Sequence, residues 1–300
     1  MSNYAYVATR ARSRRSRLLP AEAYNQLLNL EHAEIARYIQ DLEYRREIDR
    51  YGSTLSGADL IETALVDNLA KDVGDFLSFS KGKLRDILHV YAEKYRIENL
   101  KNIVRGINQN MDKQNLERLV CPINDSDKEL YNKLYDSKTV EDMISSLEGT
   151  SYYNPLKKAL EARNSDSLQP LEDALDLIYY QNLVSNQPSG GADVEVYRDF
   201  VQLKVDIANI KTLLRMRHRG ISAHNELLIG GGTLRTDLLS STQSLGDLLI
   251  SLEGSKYFEL LEPHLKPDSI DLNSCVHSLD EYMANKTKRF SYLYPLSVLP

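Results

Sequence analysis

The sequence predicts an all-α protein that contains three similar helical modules. Apolar side chains recur at helical spacing along most of the chain, as Leu84, Leu88, Tyr91 and Tyr95 do. No stretch shows the sustained two-residue alternation that is typical of a β-strand. Three short patterns also recur in the same order, and such internal repetition indicates copies of one supersecondary unit.

The first pattern is a short helix that ends in Leu-Glu. It occupies residues 35–43, 140–148 and 245–253, so successive copies are 105 residues apart. A helix this short cannot bury its apolar face by itself. We therefore expect each copy to pack against the longer helices of its module.

The second and third patterns lie in those longer helices. Residues 61–65 (IETAL) match residues 171–175 (LEDAL), and Leu279 holds the equivalent place in the third module. Residues 99–105 (NLKNIVR) match residues 209–215 (NIKTLLR), which lie 110 positions later. The order of the three patterns is the same in the first two modules, which is the main evidence for repetition.

Four polar side chains of the third pattern have predicted roles. Asn99 and Asn209 lie among apolar residues, so we expect each to hydrogen-bond a helix end or a loop backbone. Lys101 and Lys211 follow two positions later and are expected to extend outward into solvent.

The repeats predict three domains, at residues 1–110, 111–222 and 223–300. Gly106 is predicted to stop the long helix of the first domain, and Gly220 lies where the second domain ends. The run of three glycines at 230–232 is interpreted as a flexible hinge that leads into the third domain. The third pattern, in which a lysine follows an asparagine after one residue, is called the Asn-x-Lys pattern. A third copy of it would fall at about residue 320. Because the sequence ends at Pro300, we expect the third domain to be incomplete at its C-terminus.

Composition excludes several classes of protein. The net charge is −6, which argues against broad nucleic-acid binding, and 42% hydrophobic residues are enough for real cores. The two cysteines lie in different modules without CxxC spacing, so the sequence predicts neither a disulfide framework nor a zinc site. No apolar run approaches the roughly 18 residues of a transmembrane helix. The 19 tyrosines and no tryptophan are expected mainly on half-buried helix faces at module seams.

No residue of the sequence stands out as catalytic, cofactor-binding or metal-ligating. The three glycines lack the following lysine of a phosphate-binding loop, since Thr233, Leu234 and Arg235 come next. The six histidines form no metal-binding spacing, and no GxSxG nucleophile motif occurs. Acidic pairs such as Glu172 and Asp173 are interpreted as solvated helix faces. We therefore predict no cofactor and no catalytic site.

The strongest charge feature is a group of five arginines near the N-terminus: Arg10, Arg12, Arg14, Arg15 and Arg17. Three interpretations are open. The arginines could form a solvated helix face that pairs with acids of another module or subunit, attract anionic lipid headgroups, or contact nucleic acid. The acidic balance of the rest of the chain favours the first interpretation.

Four segments, spread from end to end, resemble one protein family. Residues 4–13 (YAYVATRARS) resemble its aromatic-Val-x-x-Arg-x-Arg start, and residues 206–215 (DIANIKTLLR) resemble its repeated Asp-x-x-Asn-Leu-Lys helix. Residues 228–234, with the triple glycine, resemble the linker before its third domain, and residues 293–298 (LYPLSV) resemble the segment before its last helix. The family is the C subunit of the archaeal and bacterial A-type/V-type rotary ATPases, the equivalent of the d subunit of the eukaryotic V-ATPase. One departure is Arg96, which stands where the second repeat has Asp206.

The resemblance implies three similar helical-bundle domains in a pseudo-threefold funnel. It implies a non-catalytic central-stalk subunit that links the rotating shaft of the soluble head to the membrane proteolipid ring. Such a subunit couples proton or sodium transport to ATP synthesis or hydrolysis. The implied partners are the central-stalk subunits and the proteolipid ring, with no nucleic acid and no transmembrane segment of its own. The implied location is peripheral, on the cytoplasmic face of the cell membrane.

Two other functional classes stay open at the level of sequence. One is a generic helical-repeat scaffold or adaptor, because repetition alone is typical of many binding proteins. The other is a helical enzyme with an unrecognised site, which would need converging titratable groups in a pocket.

Overall fold

The computed structural model describes residues 3–163, 167–186, 193–220, 227–266 and 269–293. The chain divides into two compact units, Met1–Leu175 and Asp176–Pro300. Helices dominate both units, as the repeated helical spacing predicts, and the all-α fold class is confirmed.

The first unit begins with a helix that carries four of the five grouped arginines, and it continues through three short helices to two long ones. In chain order these are α1 (Asn3–Arg15), α2 (Ala21–Leu27), α3 (His32–Gln40), α4 (Arg45–Tyr51), α5 (Gly57–Phe79) and α6 (Lys83–Asn108). Four short helices follow, namely α7 (Lys113–Arg118), α8 (Asp125–Leu134), α9 (Val140–Ser145) and α10 (Tyr153–Glu161). The next helix, α11 (Gln169–Ser185), begins in the first unit and ends in the second.

The second unit repeats part of this order. It contains α12 (Asp193–His218), α13 (Thr236–Ser241), α14 (Leu245–Leu252), α15 (Lys256–Leu261) and α16 (Leu272–Leu293). A short 3-10 turn (Glu262–His264) leads into two-residue strands β1 (Leu265–Lys266) and β2 (Ser269–Ile270), which pair antiparallel. Across the residues that the structure describes, no helix is long and apolar enough to span a bilayer.

The Leu-Glu pattern is helical in all three places, as α3, α9 and α14, and its start is capped each time. Thr139 and Ser244, 105 residues apart, each accept a hydrogen bond from the backbone N–H three positions later. Glu31 forms a reciprocal capping box with Glu34 at the start of α3. These caps satisfy N–H groups that a helix start leaves free, which explains why such short helices begin at these points.

The cores lie where the repeat patterns predict apolar faces. In the first unit Ala36 and Ile39 of α3, Ile48 of α4, and Leu60 and Ala64 of α5 form one buried cluster. In the second unit α12, α14, α15 and α16 contribute most of a larger cluster, made of Leu203, Ile207, Ile210, Leu213, Leu214, Leu228, Leu239, Leu248, Leu252, Tyr257, Leu261, Ile270, Cys275 and Leu279. The short helices are thus buried against the long ones, as expected.

Two predictions about the end of α6 are wrong. Gly106 does not stop the helix, which continues to Asn108. A Cβ atom at Gly106 would overlap the side chain of Leu116, so the glycine lets α7 pack closely without a shift of that leucine. Lys101 does not extend into solvent either: it is only 6% exposed, with its ammonium group 3.6 Å from Glu98. Its aliphatic stem is buried while the charge keeps an acidic neighbour, which sequence spacing alone does not reveal.

Candidate functional site at the seams between repeats

Two seams, one in each unit, hold most of the buried polar side chains described in the chain. In the first seam helix α6 meets the segment from Cys121 to Tyr152, and in the second helix α12 meets the segment from Ile229 to Tyr257. Each seam joins a helix that carries the Asn-x-Lys pattern to the segment that follows it in the sequence. We therefore treat the two seams as the candidate functional site.

An asparagine ties the long helix to the following segment in both seams. The Asn99 side chain donates to the carbonyl of Cys121 at 2.9 Å and accepts from the Cys121 amide at 3.3 Å. The Asn209 side chain donates to the carbonyl of Ile229 at 2.8 Å and accepts from its amide at 2.9 Å. Both asparagines therefore bind a loop backbone, and the prediction made for them is confirmed.

Asp206 is the centre of the second seam. Its carboxylate accepts from the amides of Thr233 and Leu234 at 2.9 and 3.0 Å, and from the Tyr257 hydroxyl at 2.9 Å. The Thr233 hydroxyl donates a further short hydrogen bond to it. Asp206 is completely buried, and a buried carboxylate is stable in a fold only when donors replace its lost water.

The glycine run is part of this same seam. Gly232 packs so closely on the carboxylate that a Cβ atom there would overlap Oδ1 of Asp206. Gly231 has φ +95°, and a Cβ on it would lie 2.8 Å from Cγ1 of Val184. We find a tightly packed turn at positions 231 and 232, in contrast to the flexible hinge that the glycines suggested.

The first seam replaces the single carboxylate with a chain of charged groups. Arg96 stands at the place of Asp206, and its Nε lies 2.8 Å from Oδ1 of Asp127. Its Nη1 donates to Glu93 at 2.7 Å, and the Tyr152 hydroxyl donates a short hydrogen bond to the other oxygen of Glu93. Arg96 is thus connected to Tyr152 through Glu93, which lies three residues earlier. This connection accounts for an arginine at the position where the second seam has Asp206.

Electrostatics in both seams favour the neutral phenol, and in the first seam they also favour the charged guanidinium of Arg96. Burial, and then the neighbouring carboxylate, raise the pKa of Tyr152 and of Tyr257 far above the ordinary value of 10.0. Burial opposes the charge of Arg96, but Glu93 and its other anionic neighbours together raise its pKa. The tyrosines therefore act as hydrogen-bond donors over the whole physiological pH range.

Two of the N-terminal arginines bind acids of the same unit. Arg14 lies 2.7 Å from Asp72 and 2.5 Å from Asp75 of α5, and Arg17 lies 3.1 Å from Glu43. These ion pairs support the charge-pairing interpretation of the arginine group. The acids, however, come from the first 80 residues of the chain and not from another module or subunit, as had been expected.

The other candidate chemistry of the sequence is limited. Among the described residues no cluster of histidine, cysteine, aspartate and glutamate side chains could hold a metal ion. Cys121 and Cys275 are both free thiols. Glu172 is not a solvated surface acid, because it forms a two-point ion pair with Arg105 at 2.7 Å for each hydrogen bond.

Sequence reasoning missed the two seam tyrosines. Tyr152 and Tyr257 are 105 residues apart, the spacing of the Leu-Glu pattern, so a signal was present. The signal is hard to use because the carboxylate partners, Glu93 and Asp206, lie 59 and 51 residues earlier, at positions that do not match each other.

The sequence of this chain is similar to known proteins over nearly its whole length. The family model for the ATP synthase (C/AC39) subunit matches residues 7–300. The chain belongs to the ATP synthase (C/AC39) subunit family. The family is one of accessory subunits of an ATP synthase.

Relatives of this ATP synthase subunit family match along the entire chain. The A-type ATP synthase C subunit of Haloferax volcanii is 33% identical over 305 residues, which cover 100% of this chain and 87% of the relative. The protein of the same name from Archaeoglobus fulgidus is 30% identical over 302 residues, covering 99% and 85%. That of Methanosarcina mazei is 30% identical over 305 residues, covering 100% and 83%.

Proposed function

We propose that this chain is a non-catalytic central-stalk subunit of an A/V-type rotary ATPase. It links the rotating shaft of the soluble head to the membrane proteolipid ring, and so couples proton or sodium transport to ATP synthesis or hydrolysis. The observation that carries the proposal is the family match, which extends over residues 7–300. The protein works peripherally, on the cytoplasmic face of the membrane.

The seams supply a physical reason for this role. A part that transmits torque must resist sliding of its elements, and close-packed interiors transmit strain with little compression. Apolar contacts are non-directional, whereas hydrogen bonds to buried charges fix both distance and angle. Asp206 and Asn209 in one seam, and Arg96 and Asn99 in the other, therefore favour a stiff connection from each long helix to the next segment.

The domain arrangement is part of the proposal. We propose three repeats, at 1–110, 111–222 and 223–300, in a funnel with pseudo-threefold symmetry. The equivalent contacts of Asn99 with Cys121 and of Asn209 with Ile229 support repetition of the structure as well as of the sequence. A round body of this kind suits a seat on a ring of identical subunits.

The test is the coupling of ATP hydrolysis to ion movement in inverted membrane vesicles. Vesicles from a strain that lacks this gene are compared with the same strain complemented by the wild-type gene. We expect the deletion to abolish ATP-driven ion uptake while the detached soluble head still hydrolyses ATP, and complementation to restore uptake. Ion uptake at the wild-type rate without the gene would overturn the proposal.

A purification separates this role from that of a general scaffold. The tagged chain, expressed at its natural level, should recover central-stalk subunits and proteolipid together from detergent-solubilised membranes. Recovery of unrelated proteins, with neither stalk nor proteolipid subunits, would favour a scaffold in another process.

A further inference from the structure

The turn from α1 into α2 carries three of the four most exposed large apolar side chains among the described residues. Leu18, just after α1, is 64% exposed, while Tyr24 and Leu28 are 57% and 83% exposed. The Leu28 amide donates to the Tyr24 carbonyl at 3.1 Å, so these two side chains lie one helical turn apart on the same side of α2. Single exposed leucines are ordinary, but a local concentration of them marks an interaction surface.

Positive charge lies beside these apolar side chains. Residues 10–28 contain five arginines and one acid, Glu22, although the whole chain has a net charge of −6. Arg12 and Arg15 are both exposed and lie three positions apart, so they share one side of α1. The Leu18 amide donates to the Arg15 carbonyl at 3.2 Å. The exposed arginines are therefore followed, one turn later, by the first exposed leucine.

The other three arginines of the group contact the first unit and hold α1 in place. Arg10 stacks on Phe79, with its guanidinium carbon 4.2 Å from the ring centre. Arg14 pairs with two acids of α5, and Arg17 pairs with Glu43. The end of α1 is thus anchored, and the exposed side chains beyond it are carried by a fixed part of the surface.

We propose that the α1–α2 corner, made of Arg12, Arg15, Leu18, Tyr24 and Leu28, is a binding surface for an anionic lipid bilayer. The guanidinium groups bind headgroup phosphates, which they match in charge and in geometry. The two leucines enter the boundary of the acyl chains, and the tyrosine ring lies at headgroup level with its hydroxyl in water. The proposal goes beyond the link to the proteolipid ring, because that link needs contacts with protein only.

Two observations favour a bilayer over a protein or a nucleic acid. A protein partner needs a surface of matching shape, whereas Leu28 is 83% exposed and so projects from the chain with little support around it. A bilayer accepts such a side chain because its lipids rearrange around it. A nucleic acid would bind the cations alone and would leave the leucines in water.

The first test is sedimentation of the purified full-length protein with sucrose-loaded vesicles. Vesicles of phosphatidylglycerol and phosphatidylcholine in equal parts are compared with vesicles of phosphatidylcholine alone. We expect saturable binding to the anionic vesicles, and binding at least about tenfold weaker to the neutral ones. Arg12→Gln and Arg15→Gln should each weaken binding to the anionic vesicles about fivefold. Leu28→Ser should weaken it about tenfold, because the buried leucine side chain is lost.

The matched controls change side chains of the same type on other surfaces. Arg118 is exposed on α7, and Ile250 of α14 is 66% exposed, so Arg118→Gln and Ile250→Ser should bind like the wild-type protein. Circular dichroism and thermal melting verify the fold of each variant. Equal binding to anionic and neutral vesicles, no binding to either, or binding at the wild-type level by Arg12→Gln and Leu28→Ser overturns the proposal.

A tryptophan probe distinguishes insertion into the bilayer from binding of headgroups alone. The sequence contains no tryptophan, so Leu28→Trp reports from a single position. We expect its fluorescence to shift to shorter wavelength when anionic vesicles are added, while that of Ile250→Trp stays unchanged. An unshifted Leu28→Trp spectrum overturns the proposal. So does release of the protein from the vesicles by duplex DNA that carries the same number of phosphates, which would identify a nucleic-acid surface.

Discussion

The side chain of Asn209 closes a ring of two hydrogen bonds with the backbone of Ile229, donating to its carbonyl and accepting from its amide. The two hydrogen bonds join the helix to the loop in the way that a pair of backbone hydrogen bonds joins two β-strands. It satisfies two backbone groups that would otherwise be buried without water, in a segment outside the long helices.

Replacing this asparagine should destabilise the second unit. Asn209→Ala removes both hydrogen bonds and leaves the Ile229 amide and carbonyl buried, at a cost of about 2–4 kcal/mol. Asn99→Ala should cost less, because Asn99 is 7% exposed and Asn209 only 1%. Urea unfolding gives the free energies, and hydrogen exchange at the Ile229 and Cys121 amides localises the effect. Equal losses at the two positions would contradict this ranking by burial.

The glycine turn offers a matched pair of substitutions. Gly232→Ala places a methyl group against the Asp206 carboxylate and should cost about 1–3 kcal/mol. Gly230→Ala has open space around the new methyl group and should change stability by less than about 0.5 kcal/mol. Thermal melting of the two variants measures the difference. If both substitutions are tolerated equally, the turn is looser than its contacts indicate.

Tyr257→Phe tests the hydrogen bond at the far side of the Asp206 carboxylate. The substitution keeps the ring and removes one donor to a buried charge, so we expect a loss of about 1.5–3 kcal/mol in the free energy of unfolding, measured in urea. The amides of Thr233 and Leu234 still bind the carboxylate, and the variant should therefore fold. Asp206→Ala should be more damaging, because it leaves all of these donors without an acceptor.

Alkaline pH should weaken the fold through its buried tyrosines. Burial raises the pKa of Tyr197 to about 12, and burial with a neighbouring carboxylate raises the pKa of Tyr152 and Tyr257 further. The folded chain then holds phenolic protons that the unfolded chain releases, so this stabilisation is complete below about pH 10 and falls as the pH rises above it. Urea midpoints across that range measure the slope. Tyr257→Phe should show a shallower decline, and an unchanged slope would exclude Tyr257 as a contributor.

Arg14 joins α1 to α5 through two ion pairs. Arg14→Gln removes the ion pairs with Asp72 and Asp75 and should cost about 1 kcal/mol, because these side chains are partly exposed and solvent screens them. Arg12 is exposed, and Arg12→Gln should be close to neutral. Proteolysis at the N-terminus, followed over time in both variants, reports how firmly α1 is held. Equal rates would mean that the arginine group acts only as a whole.

Sequence reasoning predicted what repetition and periodicity determine. The all-α class, the three short helices and the backbone-binding roles of Asn99 and Asn209 followed from spacing and from the need to satisfy a polar group among apolar ones. The burial of Lys101 and the packing role of Gly106 did not follow, because both depend on which helix lies across that turn. The departure at Arg96 is visible in the sequence, but its connection through Glu93 to Tyr152 joins distant elements and needs three-dimensional positions.

A chain in which one helical pattern recurs must also avoid packing a helix against the wrong recurrence while it folds. The charges at the seams distinguish the correct partner from the wrong one. If α6 took the place of α12, the Arg96 guanidinium would meet the backbone amides of Thr233 and Leu234, and both sides could only donate hydrogen bonds. Asp206 would in turn meet the carboxylate of Asp127, which now binds Arg96. Reversal of charge between equivalent positions therefore opposes domain-swapped misassembly.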